Sequence, residues 1–412
     1  MKRLLSSVFG LAVLFAAAAS GGRQQVNPER ALQIHNEAIV VDGHNDLPLM
    51  ILDFGFDLGM KGDQESDRAP WLYFAFPSLP RRPEGESVRT STDLARVRKG
   101  GLDAPFFSIW VSPDFYDPAE PGRARQRALD IIDALREQVG RHADAAEIAA
   151  ATEDVRRIVS NGKLAALMGL EGGHAIEDDL ANLRLFHERG VRYMTLTHSF
   201  SHGWADSSGD IDDPDVPHHG GLSDFGREVV AEMNRLGMIV DISHVADETF
   251  WDVMDVARAP VMASHSSVRA IADHPRNLTD KMLRAVAKNE GVVMINFFTM
   301  YLDPDKSTGW KFVKNWVWNL GGSETPLSLL ADHIDHVVEV AGIDHVGLGS
   351  DFDGAPSFPE GMKDVGDYPN LTVELARRGY SETDLRKVLG ENALRVLAAA
   401  EETAIRLADR AP

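Results

Sequence analysis

The stretch Leu-Ala-Ala-Leu-Met-Gly-Leu-Glu-Gly-Gly, residues 164–173, decides the fold. An uncharged apolar run gives way to one carboxylate and a pair of glycines. A continuous apolar run, rather than an alternating one, is what a strand covered on both faces requires. Runs of the same kind recur at 38–41, 106–111, 192–196, 238–242, 260–263, 292–297 and 346–349. Helical periodicity lies between several of them. Phe225, Val229, Met233 and Leu236 share one face behind a capping Ser223, 327–341 repeats the period, and Ser381 with Asp384 opens the last helix. Strand alternating with helix argues a parallel sheet, and eight such strands predict a TIM-like (β/α)8 barrel. Two segments rich in Pro, Gly and charge, 53–105 and 201–221, are expected to be long loop insertions.

Composition narrows the chemistry. The 412 residues carry 42 Lys and Arg against 63 Asp and Glu, a net charge of −21. Such a surface repels phosphate backbones, so nucleic acid is excluded as a partner. There is no cysteine, which removes disulfides, thiolate metal sites and thiol catalysis. Any metal must rest on Asp, Glu and the 15 His. Residues 1–22 have a basic head (Lys2, Arg3), an apolar run and a small-residue exit, which predicts a secretory signal peptide. The alternative, an uncleaved anchor, needs a longer apolar run. The expectation is one metal-dependent hydrolase domain over 23–412, exported to the periplasm or secreted.

In a barrel the chemistry collects where strands end at their C-terminal side. The apolar runs lead into Asp42-Gly43-His44-Asn45-Asp46, Glu171-Gly172-Gly173, Thr197-His198, Ser243-His244, Ser264-His265 and Ser350-Asp351-Phe352-Asp353. Six strands of eight thus end in His, Asp or Glu. One buried polar residue is usually packing. Six at equivalent places each cost desolvation unless they share a partner, and a divalent cation would satisfy them together. His44 and Asp46, two apart, face the same way on an extended strand. Imidazole and carboxylate without thiolate suit Zn²⁺, with Mn²⁺ or Co²⁺ as alternatives. His44, Asp46, Glu171, His244 and His265 are too many for one tetrahedral ion and suit two, bridged by a carboxylate. From position alone, Asp351 is favoured over Asp353 as a catalytic carboxylate, and Arg276 is equally a surface arginine. His218 and His219 read as solvated, His174 and His202 as residues behind the site, His333, His336 and His345 as structural, and Trp204 as loop packing. Asn296 faces the site with no assigned role.

These motifs resemble a known family. Val-Asp-Gly-His-Asn-Asp-Leu-Pro (41–48), Gly-Leu-Glu-Gly-Gly (169–173), Leu-Thr-His-Ser (196–199), Asp-Ile-Ser-His-Val (241–245), Ser-His-Ser-Ser (264–267), Arg-Asn-Leu (276–278) and Gly-Ser-Asp-Phe-Asp-Gly (349–354) are similar to the membrane (renal) dipeptidase family. The resemblance runs in order from about residue 33 to about 398. It implies an amidohydrolase-type barrel, two zinc ions and hydrolysis of dipeptides by metal-activated water. It implies that His44 and Asp46 hold the first zinc, that Glu171 bridges, and that His244 and His265 complete the second. By the same resemblance His198 touches substrate, Arg276 binds its terminal carboxylate and Asp351 handles the proton. It further implies tolerance of a D-residue at the C-terminal position and a homodimer. No hydrophobic tail follows residue 398, so no stable membrane anchor is expected after signal cleavage. A related lactam, lactone or amide hydrolase is the alternative within the same chemistry.

Overall fold

The computed structural model describes residues 26–60, 90–305 and 325–409. The expected signal segment, 1–22, lies outside the described residues, as does 61–89 of the first expected insertion. Nine strands are described: β1 (Val41–Asn45), β2 (Ala104–Trp110), β3 (Ala146–Ile148), β4 (Leu164–Glu171), β5 (Val191–Thr195), β6 (Ile239–Asp241), β7 (Met262–Ser266), β8 (Val292–Asn296) and β9 (Val346–Gly349). All pair in parallel, and β2–β4 pairing closes β1, β2 and β4–β9 into an eight-stranded barrel. The TIM-like (β/α)8 reading therefore holds. The ninth strand, β3, has no counterpart in the sequence reading. It pairs only with the start of β4, and its three residues are too few to show a pattern.

Buried side chains divide by parity along the strands, with Val191 of β5 the exception, where the pairing with β4 shifts register. Phe106, Leu167, Tyr193, Ile239, Met262 and Met294 cluster with Leu394 and Leu397 of the last helix, inside and beneath the barrel. Their neighbours Phe107, Met168, Met194, Val240, Ala263 and Ile295 belong to the cluster between sheet and helices. Side chains on a strand alternate faces, so the barrel is filled by one set and clothed by the other. Each Val, Leu, Ile, Met or Phe among them contributes about 1.5–3 kcal/mol on burial. The helices needed for the outer layer begin where expected: Ser223 accepts the Gly226 amide at 3.2 Å, and Ser381 with Asp384 forms a reciprocal capping box.

Two expectations are corrected. The first strand does not end at residue 41 but starts there and carries His44 within it. Hydrophobicity misplaces it because the polar half of the strand is buried by the barrel mouth. The expected loop over 53–105 also contains a helix, Leu94–Gly100. Asp93 caps it by accepting the Arg96 amide at 2.9 Å, and Gly101 ends it at φ 63°. The second insertion, 201–221, has no helix or strand, only isolated antiparallel bridges at His202, Ala205 and Ser207.

Candidate metal centre

Glu171, the last residue of β4, lies on the inward parity set by Ala165 and Leu167 and points into the barrel mouth. Its two oxygens face different groups. Oε2 accepts the Ser108 hydroxyl at 3.0 Å and lies 3.2 Å from His44 Nε2. Oε1 lies 3.2 Å from His244 Nε2, 3.4 Å from His265 Nε2 and 3.9 Å from His198 Nε2. Asp46 Oδ2 approaches His44 Nε2 at 3.4 Å. Three sets of donor atoms each fall within 4.8 Å of one another: His44, Glu171 and His265; Glu171, His198 and His244; His44, Asp46 and Asp351. The five expected ligands, together with His198 and Asp351, thus converge.

Parity alone would send His44 and His265 outward. Register shifts between Asp42 and Asn45 in β1, and between Ala263 and Ser266 in β7, interrupt the pleat at those two residues. Such irregularities re-aim side chains and collect beside active sites. The expected reason for the His44–Asp46 pairing also changes. Asp46 is not extended (φ −93°, ψ 14°) but begins the turn into helix Leu47–Phe54, and the turn rather than the pleat brings it to His44. His244 and Asp351 both adopt positive φ, 67° and 63°. A non-glycine residue held there is strained, and such residues cluster at functional sites.

Each ring has a backing partner or conspicuously lacks one. His44 Nδ1 meets the Tyr193 hydroxyl at 2.8 Å, and that hydroxyl donates to the Gly43 carbonyl at 3.2 Å. His265 Nδ1 meets Ser264 Oγ at 2.7 Å. His244 Nδ1 is buried and makes no hydrogen bond among the described residues, and neither does His44 Nε2, although the Glu171 and Asp46 carboxylates lie close to it. Burial opposes ionisation of Glu171, but the imidazoles of His44, His198, His244 and His265 outweigh it and hold its pKa well below the usual carboxylate value. Burial likewise opposes charge on His44, yet Tyr193, Glu171 and Asp46 raise its pKa well above the usual imidazole value. Burial, then neighbouring Arg276 and His198, keeps His244 neutral, and burial with His44 does the same for His265. Four imidazoles gathered on one ionised carboxylate, with the His44 Nε2 among them making no hydrogen bond, fit a divalent cation, which would take the place of the proton that the carboxylates draw to His44.

Around this centre stand the remaining candidates. Asn296, at the end of β8, donates Nδ2 to Asp351 Oδ2 at 3.0 Å, which supplies the role its sequence position left open. Burial, then the Asp46 carboxylate, pushes Asp351 up to about 7. Asp353 turns away and accepts the Ser91 amide at 2.5 Å. Arg276 is buried, 6% exposed, not a surface arginine. Its Nη1 donates to Ser266 Oγ at 3.1 Å and its Nη2 to the His265 carbonyl at 2.9 Å, with the Tyr301 ring 5.1 Å away. Trp110, last in β2 and register partner of Glu171, sets its ring edge-on to His198 at 5.4 Å. Tyr193, Ser264, Ser108, Trp110 and Tyr301 went unassigned in the sequence, since a hydroxyl or ring inside an apolar run carries no signal. His174 and His202 bond the Val111 and Leu196 carbonyls at 3.1 Å and 2.9 Å, behind the site, and His333 bridges Val268 and Leu302 as structure. Trp204 is fully buried in its loop.

A closed parallel barrel with imidazoles and carboxylates gathered at its C-terminal mouth defines a metal-dependent hydrolase. Residues 28–411 match the model of the membrane dipeptidase family (peptidase family M19), and the chain belongs to that family. It is a metallo-dipeptidase. It is 41% identical over 325 residues to dipeptidase aclJ of Aspergillus oryzae, covering 78% of this chain and 72% of that protein. The probable dipeptidase PvdM of Pseudomonas aeruginosa has a similar structure, with a TM-score of 0.75 at 26% identity over 91% of this chain and 98% of its own. So has a metallo peptidase of Rhodobacter sphaeroides liganded with a phosphinate mimic of the dipeptide L-Ala-D-Ala, with a TM-score of 0.70 at 29% identity over 88% and 99% of the two chains.

Proposed function

We propose that the chain is an exported dipeptidase that works with two zinc ions and accepts a D-residue at the C-terminal position of its substrate. His44, Asp46 and Glu171 would hold one ion, and Glu171, His244 and His265 the other. The observation that carries this reading is the division of Glu171, one oxygen toward His44 and the other toward His244 and His265. Bound zinc supplies Lewis acidity, which brings a water's pKa near neutrality and polarises a carbonyl.

The chain's own groups do the rest. Asp351, steadied by Asn296, takes a proton from the attacking water and returns it to the departing amine nitrogen. His198 donates from Nε2 to the carbonyl oxygen as its charge develops. The Arg276 fork receives the substrate carboxylate, and charge-assisted pairing of this kind fixes register. Arg276 follows β7, and Trp110 closes β2 on the opposite wall, so the amino-terminal residue of the substrate would lie toward Trp110. Tolerance of a D-residue is supported by the ligand of the Rhodobacter sphaeroides relative. Export is supported by the pattern of residues 1–22, and a homodimer by the family resemblance. No helix among the described residues is long and apolar enough to cross a membrane.

The test is an assay of free amino acids after incubation with Zn²⁺ and L-Ala-L-Ala, L-Ala-D-Ala or a tripeptide. Release from both dipeptides, none from the tripeptide, and loss on chelation are expected. Turnover of lactones or lactams with both dipeptides left intact would sink the proposal.

A further inference from the structure

Asp241 closes β6 beneath the metal centre, fully buried, and touches no candidate ligand directly. Its carboxylate is saturated with donors. Oδ1 accepts the Ser243 amide at 3.0 Å and the Ser264 amide at 2.8 Å. Oδ2 accepts the Thr195 hydroxyl at 2.6 Å and the Ser264 hydroxyl at 2.6 Å. A carboxylate offers about four acceptor positions, and here all are used. The Ser264 hydroxyl has one proton, and the nearest acceptor for it is Asp241. What Ser264 then presents to His265 Nδ1, 2.7 Å away, is a lone pair. The Ser243 hydroxyl also lies near Ser264 Oγ, at a longer 3.4 Å.

We infer that Asp241 sets the tautomer of His265 through the Ser264 hydroxyl, and so readies His265 Nε2 to bind metal. The proton on His265 sits on Nδ1, because a bare Nδ1 would set its lone pair against that of Ser264 Oγ at 2.7 Å. Nε2 is left bare, and it is the atom that faces His244 Nε2 at 2.9 Å and Glu171 Oε1 at 3.4 Å. Imidazole ligands elsewhere are oriented by a carboxylate or carbonyl bonded directly to the outer nitrogen. Here a serine stands between, so the carboxylate acts by fixing the direction of a hydroxyl. Asp241 is thus a positioning residue. The isosteric change Asp241→Asn would reverse the relay. The introduced amide donates to Ser264 Oγ, Ser264 turns its proton to Nδ1, and His265 is driven to the tautomer with Nε2 blocked.

The experiment measures zinc dissociation constants by competition with a chromophoric chelator, and the melting temperature of the metal-free protein, for wild type, Asp241→Asn, Ser264→Ala and Thr195→Val. Asp241→Asn should weaken one of the two zinc ions by about 10- to 100-fold. Ser264→Ala, which leaves the tautomer free, should lose less. Thr195→Val removes a donor from the same oxygen but leaves the relay, and should stay within about 2-fold of wild type. Wild-type affinity in Asp241→Asn would overturn the inference, as would equal losses in Asp241→Asn and Thr195→Val. Should Asp241→Asn fail to fold, wild-type affinity in Ser264→Ala would overturn it instead. The inference rests on His265 as a ligand, as proposed above. Wild type taking up no zinc would defeat that reading, whereas normal uptake with unaltered variants would defeat the relay alone.

Discussion

The Tyr193 hydroxyl on β5 lies 2.8 Å from His44 Nδ1 on β1, a contact made across the inside of the barrel between strands that are not neighbours. Gly169 makes room for it: a Cβ there would lie 2.0 Å from Tyr193 Cζ. Tyr193→Phe should therefore weaken metal binding about 10- to 100-fold with little change in fold. Gly169→Ala should both displace the phenol and cost about 1–3 kcal/mol of stability from overpacking. Chelator competition and thermal melts check the pair. Unchanged metal affinity in Tyr193→Phe would show that the phenol does not orient His44.

Glu171→Gln keeps the shape of the carboxylate and removes its charge from among four imidazoles. We expect loss of metal and of dipeptide hydrolysis together, read by elemental analysis of the purified variant beside its turnover. A variant that kept a full metal complement would contradict the bridging role.

Asp351→Asn separates metal binding from proton handling. Both ions should remain, and kcat should fall about 10²- to 10⁴-fold, the range for a lost general acid or base. Asp353→Asn, which alters a group bonded to Ser91 instead, should cost far less. Near-normal turnover in Asp351→Asn would remove the carboxylate from the mechanism.

Arg276→Ala should raise KM for dipeptides about 10- to 100-fold, the scale of a lost charge-assisted hydrogen bond. For dipeptide amides, which lack the carboxylate, the same change should matter little. Equal effects on both substrates would mean that Arg276 serves only to brace Ser266 and the His265 carbonyl.

Asp103 lies away from the chemistry, accepts the Val40 amide at 2.9 Å, and is pushed up to about 6 by burial. Its ordinary value is 3.8, so the folded state holds the proton more tightly than the unfolded chain. That contribution to stability is complete below about pH 4 and is lost as pH rises through about 6. Asp103→Asn abolishes it while still accepting the amide. Melting temperatures from pH 4 to 7 should show the variant gaining on wild type with rising pH. A constant difference across the range would mean that Asp103 does not titrate abnormally.

The chain itself determined the eight apolar runs, their parallel closure, and which residues stand at their ends, because strand type and order are written in local composition. Glu171 was legible for that reason, following a run buried on both faces. What only the tertiary structure decided is where those side chains point. His44 and His265 turn inward because pairing slips at β1 and β7, and Asp46 reaches His44 through a helix-opening turn. Register depends on the neighbouring strand, which no local pattern encodes. The groups behind the site, Tyr193 and the Asp241–Ser264 pair, became visible only when strands distant in sequence were laid side by side. A hydroxyl inside an apolar strand shows its purpose through its partner.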